Sequence, residues 1–353
     1  MIQDHVKFAV VGCGHIGKRH SEMITRHPEA ELVAQCDSAP RETLRLDNYE
    51  VPFYASLDDL LAANLAIDVI CICTPNGVHA PLSIQALEAR KHVVCEKPMA
   101  LTKADCEAVI FKAMQVSRQV FCVMQNRYSP PSVWIKEVID QRLLGDVFMV
   151  QTNCYWNRDD RYYKPGGWKG TAELDGGTLF TQFSHFVDIM YWLFGDIENI
   201  YAQLRDFTHQ TSTDFEDSGF VTFDFVNGGM GCLNYSTAVW NQNMESSMTI
   251  VGSRGSIKIG GQYMNEVEYC HIENYEMPTL AAANPANDYG SYKGSAANHH
   301  YVIENVVDTL KGRSSATTNA LEGLKVVEMI ERIYRKGKAT SFGKVSSGAT
   351  DKR

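Results

Sequence analysis

The sequence predicts an α/β protein in two parts: a parallel sheet covered by helices, then a mostly antiparallel sheet flanked by helices. Three observations carry this reading. Over the first third, short β-branched runs alternate with stretches of helical apolar spacing, the pattern of strands joined by crossover helices. Near residue 129 the pattern changes, and Ser129-Pro130-Pro131 punctuates the chain. Beyond it the strands are longer and alternate apolar with polar, with glycine-rich turns between neighbours.

Taken in order, Val6–Val11 is the first strand and Glu31–Cys36 the second. Asp68–Cys73 is almost wholly apolar, as strands buried on both faces are. His92–Cys95 and Val120–Met124 complete the set, and Leu82–Leu87 has helical spacing. A helix is expected from Ser129 to about Arg142, followed by strands at 147–155, 197–205, 219–226 and 230–238. Asn227-Gly228-Gly229 joins the last two as a hairpin, because glycine supplies the positive φ that tight turns need. Met248–Val251 and Ser256–Ile259 flank Gly252-Ser253-Arg254-Gly255 as a second hairpin. Helices are expected at about 297–311 and 319–336, and the polar segment 341–353 as a flexible tail. The expected domains are 1–128 and 129–340.

At 353 residues and 44% hydrophobic content, the chain can bury sizeable cores without disulfides, which excludes general disorder. Its excess of Asp and Glu (42) over Lys and Arg (33) argues against a nucleic-acid partner. No apolar run approaches the ~18 residues of a membrane span, and the N-terminus has no signal-peptide pattern. The ten cysteines are scattered, most of them inside apolar runs, which suits a reduced, cytoplasmic protein. Cys71 and Cys73 form the one close pair, without further ligand spacing, so no metal is expected.

Gly12-Cys13-Gly14-His15-Ile16-Gly17 follows the first strand directly and opens a helix. In that context G-x-G-x-x-G is a dinucleotide fingerprint. Gly12 makes the turn, Gly14 admits the pyrophosphate, and Gly17 lets helix and strand pack closely. The helix N-terminus offers free N–H groups to phosphate. Asp37 ends the second strand, where a carboxylate accepts hydrogen bonds from ribose hydroxyls and repels a 2′-phosphate, favouring NAD over NADP. Arg41 nearby would suit the phosphorylated form. The competing reading of these residues is a glycine turn without ligand and a helix-capping aspartate.

Glu96-Lys97-Pro98 follows the fourth strand. A lysine at a strand's carboxyl end stands beside the cofactor crevice, although surface lysines are common. Together with GCGHIGKRH at 12–20, CTPNGVHAP at 73–81, KHVVCEKPMA at 91–100 and DGGTLFTQFSHFVDIMYWLFG at 175–195, it resembles the Gfo/Idh/MocA oxidoreductases over roughly residues 6–336. The resemblance implies an N-terminal Rossmann domain with a parallel sheet. It also implies a C-terminal α/β domain with a large, mostly antiparallel open sheet that mediates homo-oligomerisation, as dimer or tetramer. It implies further that Lys97 and His185 are the catalytic pair, and that His15, Ile16, Thr74, Pro75, Asn76, His79, Glu96 and Lys97 join the glycines and Asp37 at the cofactor. Either Lys97 or His185 could be the base. Thr181 and His185 are four apart in an apolar helix pattern and so share a face. Many family members have aspartate where this chain has Thr181, which leaves the Thr181 hydroxyl or Gln182 to orient His185.

Arg158, Arg161, Lys164 and Lys169 fall within twelve residues, interleaved with tyrosines and with Trp168 just before the last of them. Arginine forks bind carboxylate and phosphate; a solvated loop is the alternative, since Asp159 and Asp160 offset the charge. The run 155–171 with Thr181-Gln182-Phe183-Ser184-His185 is similar to one branch of the family, the UDP-N-acetylglucosaminuronate 3-dehydrogenases of bacterial surface-polysaccharide synthesis. That likeness implies C3 oxidation of a nucleotide sugar and a tightly held NAD, regenerated in some members by 2-oxoglutarate. Arg127, Arg158, Arg161 and Lys169 are the candidates for the substrate's charges, with Trp168, Thr181, Gln182 and His185 beside them. Competing expectations are a dehydrogenase of a free polyol such as inositol, and a non-catalytic NAD-binding regulator.

Overall fold

The computed structural model describes residues 5–339 apart from position 291, so the tail expected at 341–353 lies outside the described residues. The N-terminal part runs β1 (Val6–Val11), α1 (His15–Arg26), β2 (Ala30–Cys36), α2 (Arg41–Leu44), β3 (Phe53–Tyr54), α3 (Leu57–Ala62), β4 (Val69–Ile72), α4 (His79–Glu88), β5 (His92–Cys95), α5 (Lys103–Val116) and β6 (Val120–Cys122). Its six strands form one parallel sheet in the order β3-β2-β1-β4-β5-β6. Chain order reverses between β1 and β4, and the crevice beyond their carboxyl ends is the ligand site of such sheets. The two-residue strand β3 and the short helix α2 were not foreseen, being too brief to show a period.

After a single turn over Gln125–Tyr128 come α6 (Pro130–Asp140), β7 (Val147–Tyr155), α7 (Ser184–Phe194), β8 (Ile197–Arg205), β9 (Ser218–Phe225), β10 (Met230–Ser236), β11 (Glu245–Gly252), β12 (Gly255–Gly260), β13 (Glu266–Ile272), β14 (Ala286–Asp288), β15 (Lys293–Ala296), α8 (His299–Leu310) and α9 (Ala320–Ala339). Seven of these strands make a second sheet, β13-β12-β11-β7-β10-β9-β8, antiparallel except where β10 meets β7. The Asn227-Gly228-Gly229 turn joins β9 to β10, with Phe225 N bonded to Gly229 O at 2.9 Å. One face of this sheet packs Val150, Phe223, Leu233 and Ile250 into the core with α7 and α9. The other exposes Met149, Tyr201, Phe220 and Met230. β14 and β15 form a separate hairpin.

The segment before α7 departs from the expectation of one regular helix. Leu179–Phe183 is a π-helical turn, and α7 begins only at Ser184. Thr181 and His185 nonetheless line one and the same cavity.

Arg127 ties the two parts together. Its guanidinium is fully buried and forked onto Asp188 of α7 at 2.6 and 2.8 Å, and reaches Glu322 of α9 at 2.6 Å and the Thr317 carbonyl at 3.1 Å. All its donors face these protein partners, so its expected role with a substrate's charges is corrected: Arg127 is a structural clamp. Arg127→Ala should destabilise the protein by about 3–5 kcal/mol, the cost of stranding a buried partner charge. Urea unfolding would measure this, and adding Asp188→Asn should recover part of the loss.

Candidate active site

A cavity of about 790 Å³ opens where the parallel sheet's carboxyl edge faces the second sheet. Gly12, with φ +88°, carries the turn after β1, and a Cβ there would lie 2.6 Å from the Cys73 carbonyl. A Cβ on Gly17 would fall 1.8 Å from Gly12 O; that glycine sets the helix against the strand and does not line the cavity. Gly14, His15 and Ile16 line it, and Gly14 has open space before it. Asp37 also lines the cavity; its carboxylate accepts from Cys13 N at 2.6 Å and Ala39 N at 2.9 Å. Arg41 turns away and donates to the carbonyls of Val51, Leu46 and Tyr49, which leaves the carboxylate to define the ribose end.

Thr74, Pro75, Asn76, His79, Glu96 and Lys97 form the adjoining wall. His79 spans the Thr74 and Pro98 carbonyls at 2.8 and 2.7 Å, joining the loops after β4 and β5. Glu96 is buried against His20 at 2.9 Å and His299 at 3.6 Å. Burial would push its carboxyl up, but these two imidazoles outweigh that and hold it well below the usual range. Among the described residues, this trio is the metal-capable cluster; the 2.9 Å contact is a hydrogen bond that keeps Glu96 ionised. Cys71 and Cys73 are free thiols and take no part.

Lys97 Nζ donates to Thr181 O at 2.5 Å. Burial lowers its pKa, while Glu96 and Asp175 pull it back up. His185 is buried, and burial followed by the nearby Lys97 charge holds its pKa well below the usual value. The ring is therefore neutral at pH 7 and able to take a proton. Its Nε2 lies 3.2 Å from the side-chain amide of Gln125. The expectation that Thr181 or Gln182 orients His185 is corrected, because both are committed elsewhere. Thr181 Oγ1 accepts from Asn76 at 2.7 Å and donates to Asp175. Gln182 accepts from Arg158 at 2.7 Å and donates to Tyr162 at 2.8 Å.

Arg158 and Lys169 both line the cavity and, among the described residues, neither has a carboxylate partner. Arg158 is 1% exposed and bonds Gln182, Asn243 and the carbonyls of Asn157 and Lys293. Its guanidinium lies over Trp156, Tyr162 and Tyr292, about 5 Å from each ring. Lys169 Nζ sits 3.8 Å from the Tyr162 ring and 4.9 Å from that of Tyr292. Trp168 also lines the wall. Arg161 is corrected: it is exposed and paired with Asp159 at 2.7 Å, away from the cavity. Gln125, Tyr289, Tyr292 and His299 line the site without having been singled out. Gln125 follows the carboxyl end of β6, a position that marks ligand contacts in parallel sheets; the β14–β15 hairpin residues carried no comparable signal.

Two sequence profiles match the chain: the oxidoreductase family with NAD-binding Rossmann fold over residues 6–124, and the GFO/IDH/MocA C-terminal domain over 133–258. Among solved structures, the WlbA dehydrogenase of Chromobacterium violaceum, in complex with NADH and UDP-GlcNAcA, has a TM-score of 0.85 and 29% identity, covering 96% of this chain and 95% of that one. WlbA of Bordetella pertussis, with the same ligands, has a TM-score of 0.83 and 30% identity, covering 95% and 97%. Inositol 2-dehydrogenase of Salmonella typhimurium is 32% identical over 196 residues, 54% of this chain and 55% of that protein.

Lys169 yields a pH prediction. Burial, then the neighbouring Arg158, bring its pKa down to about 8. The ammonium is charged below that value and lost above it, so affinity for inorganic pyrophosphate should fall as pH rises from 7 to 9. Loss of one charge-assisted bond of ~1.5 kcal/mol is roughly a tenfold weakening. Calorimetry across that range should show it in the native protein and not in Lys169→Met.

Proposed function

This chain belongs to the Gfo/Idh/MocA oxidoreductase family, and from that premise we propose that it oxidises the C3 hydroxyl of UDP-N-acetylglucosaminuronate with NAD. The observation that carries the substrate is the pair of cavity cations, Arg158 and Lys169, that lack carboxylate partners. Two desolvated positive charges beside the lysine–histidine pair favour a ligand that brings its own negative charge. A diphosphate and a carboxylate do so. The two WlbA structures, similar over nearly the whole chain, hold such a sugar nucleotide.

The residues present fit the dinucleotide. The cradle at Gly12, the open approach at Gly14 and the carboxylate of Asp37 suit the pyrophosphate and adenosine ribose. When bound, NAD accepts the hydride. His185, neutral in its buried site, takes the proton of the reacting hydroxyl. The Lys97 ammonium donates a hydrogen bond to the same oxygen and stabilises its developing negative charge. Residues 1–128 then serve the cofactor, and 129–340 serve the substrate and, through the open sheet face, a second copy of the chain. The reaction belongs to cytoplasmic synthesis of a bacterial surface polysaccharide, with 2-oxoglutarate a candidate oxidant for the reduced cofactor.

The similarity to inositol 2-dehydrogenase favours a second reading, oxidation of a free polyol, which would leave Arg158 and Lys169 without an anion. Steady-state rates on the uronate, on UDP-N-acetylglucosamine and on inositol separate the two. The uronate should have the highest kcat/KM, and preference for inositol would overturn the proposal. Arg158→Gln should weaken uronate binding by roughly 10–150-fold, matching a charge-assisted bond of ~1.5–3 kcal/mol. Lys97→Ala and His185→Ala should each lower turnover at least ~10²-fold, with NAD binding largely retained.

A further inference from the structure

Asp175 is a buried carboxylate beneath the cavity wall that the reaction as described leaves unused. Its side chain accepts from Gly170 N at 2.8 Å and from the Thr181 hydroxyl, and its carbonyl accepts from Asn76 at 2.8 Å. It makes no ion pair among the described residues, although it is fully buried. Thr181 joins it to the active site: the same residue donates its hydroxyl hydrogen bond to the Asp175 carboxylate and accepts from the Lys97 ammonium at its carbonyl. The Lys97 ammonium likewise has no carboxylate in direct contact among the described residues. Its sequence neighbour Glu96 is already engaged by His20 and His299.

We propose that Asp175 is a positioning residue for the reaction: it tethers Thr181, whose carbonyl holds the Lys97 ammonium, and supplies a buried negative charge behind that ammonium. The proposal rests on the role given to Lys97 above, since only a charged ammonium can donate strongly to the reacting oxygen. The charged and titratable groups facing Asp175 are Lys97 and Lys169 from the cavity, with the phenols of Tyr162 and Tyr163 beside them. Burial raises the Asp175 carboxyl to about 6 against the opposing pull of Thr181, Gly170 and the two lysines. It is therefore ionised at pH 7 and surrenders its charge in mild acid. On Lys97 the balance runs the other way: burial lowers the ammonium's pKa, and Glu96 and Asp175 oppose it. Removing the charge of Asp175 must let the Lys97 pKa fall further.

The test is the titration of Lys97 itself, which needs no substrate and so stands apart from the choice of sugar. In the full-length protein, competitive acetylation with trace acetic anhydride, read at the Lys97 peptide by mass spectrometry, gives the midpoint. Asp175→Asn keeps the shape and the acceptor oxygen for Gly170 but removes the charge. It should lower the midpoint by on the order of one pH unit, the low end for a nearby opposite charge. Thr181→Val cuts the tether but leaves the charge and should move the midpoint far less. Asp175→Asn combined with Thr181→Asp, which returns a carboxylate beside Lys97, should restore it. The alkaline limb of kcat/KM should follow the same order. An unchanged midpoint in Asp175→Asn, or equal shifts in Asp175→Asn and Thr181→Val, would overturn the proposal.

Discussion

The buried contact between Arg127 and Asp188 is the constraint on which the site depends. Arg127 sits in the turn just beyond the last parallel strand, and Asp188 is one turn after His185 on α7. Their forked pair, extended to Glu322 on α9, fixes the helix against the edge of the parallel sheet. Gln125, two residues before Arg127, is thereby held 3.2 Å from His185. A buried ion pair contributes little net stability compared with apolar packing, but its geometry is narrow and its disruption costly. That suits a joint that holds the two sheets and their helices in one register.

The cavity built across this joint separates its charges by use. Glu96 is engaged by two imidazoles, while Asp37, braced by the amides of the glycine turn and its own loop, keeps acceptor capacity toward the cavity. Arg158 and Lys169 are left facing aromatic rings. Cation–π contact stabilises a desolvated cation by about 2 kcal/mol or more but leaves its charge without a counter-ion. These two cations stand in a chain whose formal net charge is -9. His185 and Lys97 share the same low-dielectric wall, where burial lowers the proton affinity of both and the Lys97 charge lowers that of His185 further. That arrangement keeps the imidazole neutral and makes the lysine reliant on the carboxylates around it.

The parallel sheet, the hairpins and the glycine turn were legible because their signals are local: an apolar run, a turn residue, a fixed spacing after a strand. Lys97 and the Thr74–His79 loop were legible through motif and position together. The role of Arg127 was not, because its partners lie 61 and 195 residues away and one of them sits in a helix that reads as purely apolar. Arg158 and Arg161 look alike in sequence, yet one is enclosed by rings and the other spends its charge on Asp159 two residues before it. The environment of His185 was misread because Thr181 and Gln182 spend their polar atoms on Asn76, Asp175, Arg158 and Tyr162, partners that helical spacing does not show. Tyr289 and Tyr292 reach the cavity from a short hairpin that folds over His15, with the Tyr289 ring 5.4 Å from the imidazole. No periodicity announces such a contact.

The central claim is that this cavity brings the C3 carbon of an anionic sugar nucleotide to a bound nicotinamide. Isotope transfer tests it most directly. UDP-N-acetylglucosaminuronate deuterated at C3, incubated with the enzyme and NAD, should yield NADH carrying one deuterium by mass spectrometry. NADH without deuterium, or no reduction of NAD by this sugar, would contradict the account.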